Sequence, residues 1–456
     1  MNRSLVLKLG AIALLMIVLL VPLLRIGGLI RERQQQRDAV VQEIARSSSY
    51  AQQITGPLLV VPYHRKLREW NVNATTRERR LEEREVEGQL YLLPEVFKLD
   101  GTLATTRRNR GIYEARLYHA DTKVSGHFEV PAQYGVTTDS ADYRFDAPYL
   151  AMGISDIRGI RNALSLRWNG ATVAFEPGSA TTLLAAGVHA PLTALPAAGG
   201  RFAYEISLQL DGTSQFQVTP VGRDSQVSLE SDWPHPSFDG EFLPTDRSVA
   251  ASGFRASWQT SFFATNLAEA LQACVARQTC DDFKARHFGV SFIDPVDQYL
   301  KSERAIKYAL LFIALTFAGF FLFEVLKKLS VHPIQYGLVG LALALFYLLL
   351  LSLSEHIGFA LAYGLSAGAC VALIGVYIST ILQSAARGAG FAAALAALYG
   401  LLYGLLSAED YALLMGSLLL FSLLAAVMLL TRRVNWSGFG RNAPAGLPAG
   451  SPASDL

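Results

Sequence analysis

The chain has 456 residues, 51% hydrophobic and 17% charged, with a formal net charge of +2. Nothing in that balance points to a polyanionic partner such as nucleic acid. The apolar residues are concentrated in one run near the N-terminus and five more in the last third, with a polar block of roughly 270 residues between them.

The first run, Leu5 to Leu24, holds Lys8 as its only charge. At about 20 residues and 1.5 Å rise it crosses a ~30 Å hydrocarbon core as a helix. It is longer than a signal-peptide core and ends in Pro22-Leu-Leu-Arg25 without a small-residue cleavage site, so it reads as an uncleaved anchor. Residues 31–53 are polar and lack Gly and Pro, with a weak apolar face of Val40, Val41, Ile44 and Tyr50. They are expected to extend the helix as a stalk until Gly56-Pro57 stops it.

Leu58-Leu-Val-Val-Pro62-Tyr63 then reads as a buried strand. Period-2 alternation marks Gly126–Pro131, Ala171–Gly178, Phe202–Leu210 and Gln215–Thr219, and Asp211-Gly212 between the last two is a hairpin signal. The middle block is therefore expected to be mainly β, a sandwich or a related arrangement. Its best helical candidate is Ser261–Arg286, with Asn266 as a cap. Cys274 and Cys280 at C-x5-C spacing form either a small disulfide loop or two free thiols on a helix.

The five later runs fall at about 305–326, 334–353, 357–380, 388–406 and 411–431. Lys327 and Lys328, then Arg387, then Arg432 and Arg433 occupy alternate connections, while Ser354-Glu355-His356 and Ser407–Asp410 have no Lys or Arg. That alternation puts both termini in the cytoplasm and the large domain outside it. Arg25, Arg31, Arg33 and Arg37 after the first run argue the other way, but short loops carry the bias best. The fold class is thus a multi-pass α-helical membrane protein of six transmembrane helices, with a large mainly-β exported domain between the first and second. The expected divisions are an anchor at 1–28, a stalk at 29–55, the β domain at 56–300, a five-helix bundle at 301–433 and a disordered tail at 434–456.

Val218–Ser225 and Trp233-Pro-His-Pro-Ser-Phe238 resemble the CreD family of bacterial inner-membrane proteins. The likeness continues through Gly240–Pro244, Phe263–Leu267, Asp294–Tyr299, Phe323-Glu324, His332–Tyr336 and Leu353–His356. The resemblance implies a multi-pass protein of the inner membrane, tied to envelope integrity and the envelope-stress response, with a periplasmic domain. It implies no reaction.

The residues themselves offer little chemistry. The eight histidines show no HExxH or zinc spacing, and there is no Gly-x-Ser-x-Gly elbow, Walker loop or dinucleotide fingerprint, so no catalytic, cofactor or metal residue is assigned. Trp233, His235 and Phe238 form either a binding loop or a rigid connection that seals one end of the sheets. Glu324, Glu355 and His356 are functional candidates as ionisable groups within spans, against a reading in which they sit at interfaces and Glu324 pairs with Lys327 or Lys328. Gln335 and Tyr347 are further polar positions, and Tyr308, Tyr336 and Tyr411 suit an aromatic belt. Gly364-Leu-Ser-Ala-Gly368 and Gly400-Leu-Leu-Tyr-Gly404 suit close helix packing within the chain.

The leading expectation is a non-enzymatic envelope protein whose domain engages an envelope protein, glycan or lipid. The alternative is a transporter, flippase or channel capped by that domain. An enzyme using Asp156, His235 and Glu241 ranks third. The oligomeric state stays open.

Overall fold

The computed structural model describes residues 3–72, 79–277, 280–294, 297–327, 331–407 and 412–432. The expected tail at 434–456 and the pairing of Glu324 with Lys328 lie outside them. The chain divides into two compact units, Met1–Gln36 with Val296–Leu456, and Arg37–Pro295. Helix α1 (Arg3–Ser47) begins in the first and ends in the second.

The second unit is built on seventeen strands among the described residues. They begin with β1 (Gln52–Val72), β2 (Arg79–Leu92), β3 (Val96–Arg110), β4 (Tyr113–Val130), β5 (Tyr143–Phe145) and β6 (Tyr149–Ile154). Then come β7 (Ser165–Trp168), β8 (Ala171–Ala174), β9 (Glu176–Pro177), β10 (Gly187–Pro191), β11 (Gly200–Thr213) and β12 (Gln215–Thr219). The last are β13 (Asp224–Ser231), β14 (Pro236–Gly240), β15 (Asp246–Ala250), β16 (Gly253–Ser261) and β17 (Phe288–Phe292). Three short helices, α2 (Phe262–Thr265), α3 (Leu267–Arg277) and α4 (Asp281–Ala285), stand where one helix was expected.

One sheet runs β14-β17-β12-β1-β6-β10-β9, with β2 and β5 also on β1; the other runs β15-β16-β13-β3-β4-β11-β7-β8. A single buried cluster draws Leu58 and Val60 from the first sheet and Phe97, Leu99, Val124 and Ile206 from the second. Burial of these alternating faces against each other is what holds the two sheets together.

Helix α1 ends at Ser47, not at Gly56-Pro57. The chain is pulled out of the helix by a buried polar set. Ser49 Oγ and Gln52 Nε2 donate to the Asp211 carbonyl (2.7 and 2.9 Å), and Thr213 Oγ1 donates to the Ser49 carbonyl (2.7 Å). Gly56-Pro57 instead lies inside β1, where the ladder with β6 shifts register between Thr55 and Leu58. A missing N–H is tolerated at such a bulge.

Asp211-Gly212 is no hairpin turn. Both residues lie in β11, opposite His119 and Tyr118 of β4. The chain turns at Ser214 (φ 65°) and crosses to the other sheet, where β12 pairs parallel with β1. Tyr118 Oη holds the crossing by donating to the Gln215 carbonyl (2.6 Å), and burial pushes this phenol's pKa well above its ordinary range. Gly212 is required because a Cβ there would lie 2.2 Å from that same Oη. The run Ala171–Gly178 likewise splits, β8 belonging to one sheet and β9 to the other. Cys274 and Cys280 are joined by a disulfide between α3 and α4, with Cα atoms 4.5 Å apart.

The first unit adds α5 (Gln298–Lys307), α6 (Ala309–Lys327), α7 (Pro333–Ile357), α8 (Phe359–Ile381), α9 (Ala385–Ser407) and α10 (Ala412–Thr431). Among the described residues four helices, α1, α7, α8 and α9, are each long and apolar enough to cross a membrane. The expected span at 305–326 is broken: α5 and α6 meet at 47°. Asp297 caps α5 by accepting from the Tyr299 and Leu300 amides (2.9 and 3.3 Å), which starts that helix earlier than its apolar run.

Candidate functional site: paired charges in the helical unit

Among the described side chains, Ile12, Leu19, Leu23, Ile26 and Ile30 are the buried apolar positions of α1 up to Ile30. Their spacing traces one helical face. Lys8 lies four residues before Ile12 and Arg33 three after Ile30, so both cations continue the buried stripe. Leu19 meets α7 at Gly340, where a Cβ would be 2.3 Å from Leu19 Cδ1 and 2.7 Å from Phe317 Cζ. Small residues at such crossings let helix backbones approach closely in lipid.

At one end of this stripe the Lys8 ammonium pairs with Glu324 of α6. Glu324 is 6% exposed and also accepts from Tyr336 Oη (2.9 Å) and the Val331 amide (3.1 Å). Its carboxylate thus has a cation and two hydrogen-bond donors, which offsets the cost of burying it. Its cation comes from the first helix; the side chain of Lys327, one of the partners expected for it, lies outside the described residues. Tyr336 is fully buried against Phe317 and Phe320, so it serves this carboxylate and not an aromatic belt.

At the other end Arg33 lies 3.7 Å from Glu355 of α7, which also accepts from Tyr299 Oη of α5 (3.2 Å). Tyr336 and Glu355 are nineteen residues apart on α7. At 1.5 Å per residue that is about 28 Å, close to the thickness of a hydrocarbon core. The two clusters therefore sit at opposite ends of the spans and bind α1 at both.

The other candidates are placed differently. Gln335 completes a capping box: His332 Nδ1 accepts from the Ile334 amide (3.3 Å) and Gln335 Oε1 from the His332 amide (3.1 Å). It is a helix cap, not a lining residue. His356 is exposed at the end of α7. Among the described residues a Cβ at Gly364, Gly368, Gly400 or Gly404 would meet nothing within 4 Å, so the two small-residue patterns show no close packing there, whereas Gly340, Gly375 and Gly388 do. Midway along α7, α8 and α9, Tyr399 Oη donates to Cys370 Sγ (3.2 Å) and Tyr363 Oη to the Tyr399 carbonyl (2.7 Å). Tyr347 Oη and Ser366 Oγ are buried beside this group with no hydrogen-bond partner among the described residues.

In the β unit Trp233 is buried, its indole N–H donating to the His235 and Ile293 carbonyls (both 3.0 Å), with the Arg116 guanidinium 3.9 Å from the ring centroid. Phe238 lies in β14 against Phe254 and Trp258. The segment carries the chain from β13 in one sheet to β14 in the other, and His235 alone of the three is exposed. Asp156 is committed to Arg158 (2.6 Å), and no contact joins it to His235 or Glu241 among the described residues. No group of three or more His, Cys, Asp or Glu stands at metal-binding distance among the described residues.

Apolar helices of spanning length, joined by ion pairs and carrying a two-sheet β unit, define an integral membrane protein with a large β domain. Its family is equally plain. A family profile described as "Inner membrane protein CreD" matches residues 4–437, and the chain belongs to that family. Escherichia coli (strain K12) Inner membrane protein CreD is 36% identical over 423 residues, covering 93% of this chain and 92% of that one. The chain is accordingly an inner-membrane protein of the envelope. Among solved structures, an M1 zinc metallopeptidase mutant from Deinococcus radiodurans with bound Tyr-Ser-Ala is 10% identical over 37% of this chain and 39% of that one, with a TM-score of 0.18. A second structure of that peptidase is also 10% identical, over 37% of this chain and 38% of its own, with a TM-score of 0.17. Scores this low carry no argument about fold.

Proposed function

We propose that this is a non-enzymatic inner-membrane protein that supports envelope integrity under stress. In this reading the chain crosses the membrane six times, with both termini in the cytoplasm. The β domain stands on the periplasmic side, where it engages an envelope component, and the spans hold it there. The observation that carries the reading is how Glu324 and Glu355 are used. Each faces a cation from α1 and accepts a hydrogen bond from a tyrosine hydroxyl, which makes them fasteners between helices. A pathway for ions or solutes would need such groups turned toward water.

The test is rescue of a strain lacking the protein under envelope stress. The double variant K8M/E324Q removes both charges without leaving either unpaired, and it is expected to rescue as well as the unaltered protein at equal membrane levels. Failure at equal levels would overturn the reading. A second reading, movement of a lipid or small solute, is favoured by the Tyr347 and Ser366 hydroxyls, which are buried with no partner among the described residues. Lipid or solute movement by the reconstituted protein, reduced in Y347F/S366A, would replace the first.

A further inference from the structure

Within the β unit a cleft of about 520 Å³ opens beside the end of α1. Arg108 and Arg110 reach it from the end of β3, and Arg158 and Arg161 from the turn after β6. Ser47 and Asn109 add neutral polar groups, and no acidic side chain lines it. Ile44 and Leu117 supply its apolar wall, packed with Ala115, Val40 and Val41.

The carboxylates stand outside the lining. Arg158 is held by Asp156 (2.6 Å) and also donates to the Arg46 carbonyl at the end of α1 (2.8 Å). Asp211 holds Arg161 (2.5 Å) and Glu43 holds Arg110 (2.8 Å). Arg108 is exposed and has no ion-pair partner among the described residues. Guanidinium groups fixed in this way lose little freedom when they bind a further anion. Closing the end of α1 and bracing the turn accounts for Arg158 and Arg161. It leaves Arg108 without a use.

We propose that this cleft binds a phosphate-bearing anion, such as a phosphorylated headgroup or glycan of the envelope. The Arg108 guanidinium, with the N–H groups that Arg110, Arg158 and Arg161 do not give to their own carboxylates, offers more donors than the two oxygens of one carboxylate can accept, whereas a phosphate ester or diphosphate has enough oxygens. The volume lies within the range of small-molecule sites. The proposal rests on the reading that the β domain meets an envelope component and names the chemistry of that component.

The experiment uses the full-length protein in phosphatidylcholine nanodiscs, titrated calorimetrically with inorganic pyrophosphate, glucose phosphate and short-chain phosphatidylglycerol. Saturable binding that weakens about tenfold in R108Q supports the proposal, the size expected for one charge-assisted hydrogen bond. R247Q, an exposed arginine on β15, is expected to leave binding unchanged. Binding of phosphatidylglycerol alone assigns the site to a lipid headgroup, and binding of the soluble phosphates to a glycan or free phosphate; both support it. No binding of any probe, or equal loss in R108Q and R247Q, overturns it. Rescue under stress by an R108Q protein that no longer binds also overturns it as the route to the envelope component, while the reading of the domain itself stands.

Discussion

Glu324 shows what a single ionisable residue does in these spans. With Lys8, Tyr336 and the Val331 amide around it, the carboxylate is fully partnered although it is buried. Removing one charge strands the other, so K8M and E324Q are each expected to cost about 3 kcal/mol. The double variant is expected to cost less than their sum by at least about 1 kcal/mol, read as the coupling in thermal melts of the purified protein. Additive losses would mean that the two charges do not interact. Asp156 makes a pH-dependent contribution in the β domain. The hydrogen bond from Arg158 holds its pKa below the ordinary value of 3.8. A depressed carboxylate stabilises the fold above that ordinary value, and the contribution disappears as pH falls through the lower, folded one. D156N is therefore expected to lower the melting temperature at pH 7 and to flatten its decline below pH of about 4. A parallel decline in both proteins would contradict this. Trp233 against His235 separates sealing from binding: W233A is expected to cost about 3–5 kcal/mol and the exposed H235A less than about 0.5 kcal/mol by denaturant unfolding.

Helices were more legible than strands because a bilayer imposes a length and a sheet does not impose a partner. The apolar runs marked α7, α8 and α9 to within a few residues, and Lys8 stood out as the lone charge in the first run. Its partner lies 316 residues away, and no periodicity reports a contact at that distance. Alternation in Phe202–Leu210 and Gln215–Thr219 identified two strands correctly, but a period of two says which face is buried and not which sheet the strand joins. Hence the sequence predicts a reversal at Asp211-Gly212, whereas the chain crosses at Ser214. The glycine patterns misled for a related reason. Spacing shows that a face is small, not that anything covers it. Gly340, which has no partner glycine four residues away, is the one against which Leu19 and Phe317 pack. G340V is expected to lower stability by about 1–3 kcal/mol, because neither neighbour is backbone but both must move. G364A and G400A are expected to leave it unchanged or raise it slightly, as Ala favours helix. If all three melt alike, α1 is not seated on α7 at this position.

At the scale of the molecule, local clusters matter more than totals. A net charge of +2 conceals four arginines from two distant segments around one cleft, and 17% charged residues conceal two ion pairs that fasten the first helix to the others. The orientation proposed for the whole rests on a different set of residues. The basic connections alternate with uncharged or acidic ones, so the β domain is expected on the oxidising side of the membrane. The pairing of Cys274 with Cys280 suits that side, and Cys370, buried in α8, is the remaining cysteine. Two labelling measurements check the compartment and the topology. Protein taken from cells, denatured and labelled with a bulky maleimide without reduction, is expected to gain one label, and three after reduction. A cysteine placed at Ser384 in a C370A background is expected to react with a membrane-impermeant maleimide only after the inner membrane is broken, and one at Gly358 in intact spheroplasts. Three labels without reduction would place the β domain in a reducing compartment. The opposite pattern at Ser384 and Gly358 would invert the topology, and the arginines flanking the first helix would then be the better guide to orientation.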